Sequence, residues 1–132
     1  MSPASTGPIV VTAAVIERDN RFLITERLEG THLAGHWEFP GGKCEPGETP
    51  EECLRRELRE ELEVEATVGA EIFRTTHQYP DRLLELRFFG CTLEGMPRPV
   101  QGQRMRWVPR QALSSLPFPP ADAAFIAQLT KP

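Results

Sequence analysis

Residues 41–64 read GGKCEPGETPEECLRRELREELEV. Thr49, with Pro50 directly after it and Glu52 three positions on, predicts a helix N-terminus closed by a capping box. Leucines recur at every fourth position of the segment that follows, which places one apolar stripe along a helix. We therefore predict an amphipathic helix from Pro50 to about Glu63, entered from a glycine-containing segment.

Three carboxylates share one face of this predicted helix. At about 100° per residue, Glu57, Glu60 and Glu61 lie side by side, next to the leucine stripe. Like charges placed this closely repel one another, and more strongly near a core of low dielectric constant. Three oxygen ligands of this kind suit a hard divalent cation, Mg²⁺ or Mn²⁺. The alternative is a solvated acidic face whose charges are paired with the arginines of the same helix.

A longer pattern surrounds the three carboxylates. The segment runs Gly42-x5-Glu48-x7-Arg56-Glu57-Leu58-x-Glu60-Glu61-x-Glu63-Val64. This pattern resembles the Nudix box, with one departure, because Glu63 stands where the family has glycine. Other segments look like the MutT branch of the family, namely residues 22–27, 37–43, 79–82 and 118–122. The likeness therefore covers most of the chain, from Ile9 to Leu129.

This resemblance implies a fold and a reaction. It implies an α/β protein, a Nudix α/β/α sandwich with a mixed sheet, and we expect one such domain over residues 1–132 with its core at about 8–130. Nudix enzymes cleave nucleoside diphosphates linked to another group, with a divalent metal and water. The chain is similar both to the branch that removes oxidised guanine nucleotides and to the sister branch that acts on CTP and modified pyrimidine triphosphates.

The resemblance also implies which residues hold the metal and do the chemistry. Glu57, Glu60 and Glu61 match the metal ligands and catalytic carboxylates of the family, joined by a backbone carbonyl at Gly41. Glu60 or Glu61, at the edge of the leucine stripe, is the expected general base, since burial raises the pKa of a carboxyl. Some MutT-like members carry a further Glu in a loop, and here Gln101 aligns with it. A neutral amide cannot act as a base.

Three more residues of the box match structural positions. Gly42 allows the backbone to approach metal and phosphate closely. Glu48 and Arg56 match an ion pair that ties the loop to the helix. Glu63, at the position of the glycine, is expected either to cost on the order of 1 kcal/mol in a left-handed conformation or to let the helix run on.

The candidate substrate-binding residues, by resemblance, are Arg27, Phe39, Lys43, Tyr79 and Asp122. Phe39 and Tyr79 are equally compatible with stacking on a base and with packing in the core or a turn. An ionised Asp122 would accept two hydrogen bonds from the edge of guanine, whereas cytosine would need it protonated. The alternative for Asp122 is an N-cap of the last helix.

The rest of the chain predicts strands on either side of the helix. The predicted strands are residues 9–16, 21–25, 64–70, 71–77, 83–93 and 105–108, with a short extended piece at 37–39. A turn is predicted at 40–42, because a glycine pair after proline usually changes the chain direction. A closing helix is predicted over 121–129.

Charge and composition narrow the class of protein. The 15 basic and 19 acidic residues give a net charge of −4, and the acids are concentrated between residues 41 and 65. We therefore expect no binding of duplex nucleic acid. The apolar runs are too short to span a membrane, and Met1 to Gly7 lacks the pattern of a signal peptide. The three cysteines show no C-x-x-C spacing. A cytoplasmic protein with buried, reduced thiols is expected, as a monomer or a homodimer.

Taken with the resemblance, these features predict an enzyme that hydrolyses modified or oxidised nucleoside triphosphates to monophosphate and pyrophosphate with Mg²⁺ or Mn²⁺. Such an enzyme would have a house-cleaning role in the nucleotide pool. One alternative is a Nudix enzyme for another diphosphate, such as a nucleotide sugar or an RNA 5′ end. Another is a non-catalytic sensor that binds nucleotides, and an intact set of three carboxylates argues against it.

Overall fold

The computed structural model describes residues 7–132, in which four strands precede the first α-helix and three more precede the second. The strands are β1 (Ile9–Arg18), β2 (Arg21–Glu26), β3 (Trp37–Glu38), β4 (Gly41–Lys43), β5 (Glu65–Tyr79), β6 (Arg82–Glu94) and β7 (Met105–Pro109). The α-helices are α1 (Pro50–Leu62) and α2 (Ala123–Leu129), and two 3₁₀ helices span Arg110–Ser115 and Pro120–Asp122. The prediction that no signal peptide occupies Met1 to Gly7 falls almost wholly outside the described residues.

The strands form a mixed sheet. β1 pairs with β6 in parallel and with β4 antiparallel, and β6 pairs antiparallel with the long β5. β2 forms a hairpin with β1 and pairs antiparallel with β3 and β7. The predicted hairpin and the mixed sheet are both confirmed.

β1 supplies buried side chains to both faces of this sheet. Ala13 and Val15 join the cluster that contains Phe125 of α2, whereas Ala14 and Ile16 join the cluster that contains the leucines of α1. Side chains alternate across a strand, so these two clusters lie on opposite faces. One helix covers each face, and the predicted α/β/α sandwich is confirmed.

Helix α1 begins as its sequence predicts. The Thr49 side chain accepts a hydrogen bond from the backbone of Glu52, and the Glu52 side chain accepts one from the backbone of Thr49. The leucine stripe is completely buried. These features fix both the start of the helix and the face that it turns to the core.

Helix α1 ends at Leu62, one residue earlier than predicted, and Glu63 follows in the left-handed region with φ 53° and ψ 45°. A Cβ atom is strained in that conformation by about 1 kcal/mol. We therefore expect Glu63→Gly to raise the free energy of unfolding by about 1 kcal/mol in urea titrations. Glu63→Ala keeps the Cβ atom and is the matched control, with no gain expected. A Glu63→Gly protein no more stable than the wild type would contradict the strain.

The segment at Gly41 and Gly42 is a strand, so the predicted turn at 40–42 is wrong. Gly41–Lys43 pairs with β1 as β4, with Gly41 opposite Ala13. A Cβ atom on Gly41 would lie 2.0 Å from the carbonyl oxygen of Thr12, and Gly41 has a φ of +155°. The glycine is therefore needed for close approach of two backbones, a property that local sequence does not distinguish from a turn.

Besides shifts of one or two residues at the ends of other strands, two further differences concern β5 and the closing helix. The strands predicted at 64–70 and 71–77 form one strand, β5, which pairs with β6 along its length. The register of this pairing shifts between Val68 and Phe73, but the strand does not end there. The closing helix starts at Ala123 instead of residue 121, after a 3₁₀ turn. Of the described residues, no helix is long and apolar enough to cross a membrane.

Candidate active site

A cleft of about 410 Å³ opens where β4 meets α1. Most of the candidate residues line it, namely Arg27, Phe39, Gly41, Gly42, Lys43, Glu57, Glu61, Tyr79 and Asp122. Other residues lining the cleft were not singled out from the sequence, namely His32, Leu33, Glu38, Arg82 and Leu84. The cleft therefore has an acidic end on α1 and a more mixed end near Asp122.

Two carboxyl groups form the acidic end. Burial raises the pKa of Glu61 well above its ordinary value, the nearby Glu38 and Glu57 charges raise it further, and a backbone hydrogen bond from Gly41 lowers it. Burial also raises the pKa of Glu57, against the opposing effect of Arg56. The Glu57 and Glu61 side chains are close neighbours, and each affects the pKa of the other. A cation bound between these two carboxyl groups would offset the burial and the repulsion from neighbouring carboxylates that raise their pKa values.

Glu60 does not face the cleft with them. Its side chain is 54% exposed and its carboxylate lies 3.3 Å from Arg56 Nη1. Within residues 7–132, no three His, Cys, Asp or Glu side chains are grouped so as to hold a metal ion. The part of the site that is already assembled is the pair Glu57 and Glu61 beside the Gly41 backbone.

This assembled part fits a hard divalent cation. Its donors are oxygens, which Mg²⁺ and Mn²⁺ prefer. A Cβ atom on Gly42 would lie 2.4 Å from the carboxyl carbon of Glu57, so the glycine makes the space that this carboxyl occupies. Burial is the main cause of the raised pKa values of Glu57 and Glu61, and a cation bound between their carboxyl groups would offset it.

Arg56 connects the acidic helix to the preceding loop. It donates to the Glu48 carboxylate from Nε at 2.6 Å and from Nη2 at 2.9 Å. It also donates to the Lys43 carbonyl at 3.2 Å and to Glu57 at 3.2 Å. The Arg56 hydrogen bond holds the pKa of Glu48 at about 2. This bidentate pair orients α1 against β4.

The opposite end of the cleft contains a buried carboxyl, Asp122, which is 6% exposed. It occupies the N-cap position of α2, as the alternative predicted, but its side chain makes no capping hydrogen bond. Burial, then the nearby Glu38, raises the pKa of Asp122 to about 7, whereas Arg27 lowers it. Arg27 Nη1 in turn lies 2.8 Å from Glu38 Oε1.

Glu38 is therefore a site residue that the sequence reasoning missed. The available signal was its place in a short extended piece between two aromatic residues, Trp37 and Phe39. Both neighbours are buried in the core, so strand alternation turns Glu38 to the other side. Glu38 matters to the site because it lies near Asp122 and raises the pKa of that carboxyl. No local sequence pattern reveals that these two residues are close.

The two aromatic candidates differ. The Phe39 ring is 4% exposed and packs on Phe118 with centroids 5.5 Å apart, so it is mainly a core residue that borders the cleft. Tyr79 is half-buried and meets His32 and His77 edge-on, with centroids at 5.3 Å and 4.6 Å. Tyr79 is the more available of the two for contact with a ligand.

A second, smaller cavity lies behind the acidic pair. It has a volume of about 140 Å³ and is lined in part by Glu38, Glu61, Gln101 and Gln103. The Gln103 side chain donates to the Glu61 carbonyl at 3.2 Å and accepts from the Gln101 backbone at 3.0 Å. This loop therefore presents amides instead of a carboxylate near Glu61.

The sheet is mixed and lies between two helices, and α1 presents carboxyl groups next to the glycines of β4. A family model for the NUDIX domain matches residues 11–128, and the chain belongs to the Nudix hydrolase family. Nudix hydrolases generally use divalent metal cations.

Relatives match over most of their length. The chain is 40% identical to an 8-oxo-dGTP diphosphatase of Haemophilus influenzae over 125 residues, which cover 92% of this chain and 90% of that protein. It is 37% identical to a CTP pyrophosphohydrolase of Escherichia coli over 115 residues, which cover 86% and 85%. The solution structure of the E. coli ORF135 protein superposes with a TM-score of 0.82 at 33% identity and 99% coverage of each chain.

Proposed function

We propose that the protein hydrolyses modified or oxidised nucleoside triphosphates to nucleoside monophosphate and pyrophosphate, with Mg²⁺ or Mn²⁺, and so cleans the nucleotide pool. The observation that carries this proposal is one cleft with the paired carboxyl groups of Glu57 and Glu61 at one end and the buried Asp122 at the other. Relatives named for 8-oxo-dGTP and CTP hydrolysis support the substrate class.

In this proposal Glu57, Glu60, Glu61 and the Gly41 carbonyl hold the cation. A bound divalent cation neutralises phosphate oxygens and lowers the pKa of water. Glu60 is the outer member of the set, since it pairs with Arg56. Glu48 and Arg56 keep the helix in place.

Glu61 is the better candidate for the general base. It faces the cleft, whereas Glu60 is exposed, and proton transfer needs a group within hydrogen-bond reach of the reacting water. Lys43, an exposed residue at the same cleft, offsets phosphate charge as a flexible ammonium. The neutral amide of Gln101 has no role as a base.

The base of the nucleotide is proposed to bind between Arg27, Tyr79 and Asp122, with Phe39 closing the pocket from the core. With a pKa of about 7, Asp122 populates both protonation states near neutral pH. The ionised form accepts two hydrogen bonds from a guanine edge, and the protonated form donates one and accepts one, as cytosine requires.

Base preference is therefore expected to depend on pH. In the wild type, the ratio of kcat/KM for 8-oxo-dGTP over CTP should rise as the pH passes upward through about 7, because ionised Asp122 becomes the major form. Asp122→Asn fixes one donor and one acceptor at every pH. It should shift the ratio about tenfold toward CTP at high pH and make it independent of pH. An unchanged ratio in the variant would remove Asp122 from base recognition.

A substrate panel tests the proposed reaction itself. The protein is incubated with Mg²⁺ and with 8-oxo-dGTP, dGTP, dCTP, CTP or 5-methyl-dCTP, and pyrophosphate is assayed. We expect turnover of at least one modified or oxidised triphosphate above its unmodified parent. Absence of turnover with every member would exclude the triphosphatase reaction.

A further inference from the structure

Two cysteines meet where β4 packs on α1. Residues two apart on a strand point to the same side, and residues four apart on a helix share a face. Cys44 therefore lies on the side of Gly42, and Cys53 on the side of Glu57. Gly42 and Glu57 are in direct contact across this junction, so the same packing brings Cys44 toward Cys53.

The contacts of both residues agree with this placement. The Cys44 backbone donates to the Val10 carbonyl at 3.0 Å, which extends the pairing of β4 with β1 by one residue. The Cys53 sulfur lies 3.3 Å from Thr12 Oγ1 and 3.7 Å from the carbonyl oxygen of Gly42, which is two residues before Cys44, and Cys53 is near enough to raise the pKa of Cys44.

Both thiols are free, and they differ in exposure. Cys53 is buried, whereas Cys44 is only half-buried, which corrects the prediction of three buried thiols. Burial, followed by the contact with Cys53, raises the pKa of Cys44 to about 12. The thiolate is therefore scarce at neutral pH, and reaction with an oxidant is slow.

We propose that Cys44 and Cys53 are an oxidation site that closes as a disulfide between β4 and α1. Hydrogen peroxide supplies the oxidising equivalents. The sulfur of Cys44, the more accessible thiol, loses its proton and attacks a peroxide oxygen, which breaks the O–O bond and gives a sulfenic acid and water. The Cys53 sulfur then attacks that sulfur, the S–S bond forms, and the hydroxyl leaves as a second water with the Cys53 proton.

This disulfide would act on the site next to it. Cys53 is one turn before Glu57 on α1, and Cys44 is two residues after Gly42. The Glu57 carboxyl already fills the space above Gly42, so drawing the two sulfurs together shifts helix against strand at a tightly packed point. We expect kcat to fall by about tenfold, since small misplacements of catalytic groups are costly.

A mass measurement tests the site without reference to activity. Trypsin cuts after Lys43 and Arg55, so both cysteines fall in one peptide, residues 44–55, and Cys91 falls in another. Native protein is treated with hydrogen peroxide, denatured, alkylated and digested. We expect peptide 44–55 to lack alkylation and to be lighter than the reduced peptide by two hydrogen atoms. Dithiothreitol should restore both of its thiols. Cys91 should be alkylated throughout.

The second measurement is kcat before and after oxidation, with Cys44→Ala as the matched control. Peroxide should lower kcat of the wild type reversibly and leave Cys44→Ala unchanged. Alkylation of both cysteines in peptide 44–55 after native oxidation, or a reducible dimer in place of the internal bond, would overturn the proposal. If the disulfide formed without any change in kcat, only the proposed effect on the active site would be overturned. A protein that is inactive before oxidation would instead refute the proposed function.

Discussion

Glu61→Gln should lower kcat by about 10³-fold, whereas Glu60→Gln should lower it by about tenfold. The two residues are adjacent on α1 and undergo the same change, but only Glu61 faces the cleft and contacts Glu57. The exposed Glu60 carboxylate is mostly solvated and paired with Arg56. The larger loss corresponds to about 4 kcal/mol of transition-state stabilisation.

Glu60→Gln is thus the matched control for Glu61→Gln, and steady-state kinetics at saturating Mg²⁺ compare them. Thermal unfolding without metal should show no loss of stability in Glu61→Gln, because a buried carboxyl with a raised pKa is replaced by a neutral amide of similar shape. Equal losses of kcat in both variants would mean that the orientation of Glu60 does not hold during turnover.

Gly42→Ala is expected to lower kcat by about 100-fold with little loss of stability. The new Cβ atom would lie 2.4 Å from the carboxyl carbon of Glu57, and the flexible Glu57 side chain can move away. The displacement removes Glu57 from its contact with Glu61 but leaves the backbone of β4 in place. The site is therefore damaged while the fold survives.

Gly41→Ala is the contrasting variant. Its Cβ atom would lie 2.0 Å from the carbonyl oxygen of Thr12, and backbone cannot rotate away as a side chain can. We expect it to lower the free energy of unfolding by about 3 kcal/mol in urea titrations. If Gly42→Ala unfolded the protein as readily as Gly41→Ala, or if it retained full kcat, the space above Gly42 would not be reserved for Glu57.

The fold could be predicted from the sequence where the signals are local. The capping box at Thr49, the leucine stripe of α1 and the hairpin of β1 and β2 depend on residues that are close in the chain. The glycines of β4 were misassigned because a turn and a close backbone approach require the same absence of a Cβ atom. The distinction depends on Thr12, which is 29 positions away from Gly41.

The candidate site also combines features that depend on local sequence with features that depend on tertiary packing. The spacing of the Nudix box predicts Glu57, Glu60 and Glu61 as metal ligands, because all three positions are on one helix. It does not reveal that Arg56 draws Glu60 away from the cleft. The polar pocket at the other end combines β2, β3 and the segment before α2, so the influence of Glu38 on Asp122 arises only from tertiary packing.

The distribution of charge links the cation to the substrate. Residues 41–65 hold nine acids and four bases, and two of those acids face the cleft in which phosphates are proposed to bind. An acidic cleft repels a triphosphate at close range. The cation is therefore expected to serve binding as well as chemistry, and removing it with EDTA should abolish both.

Analysis of the products tests the central claim most directly. The protein is incubated with 8-oxo-dGTP and Mg²⁺, and the phosphorus-containing products are identified and quantified by ³¹P NMR. We predict equimolar nucleoside monophosphate and pyrophosphate, formed only with the cation and formed about 10³-fold more slowly by Glu61→Gln. Release of orthophosphate with nucleoside diphosphate, or the same products at the same rate without a divalent cation, would contradict the account.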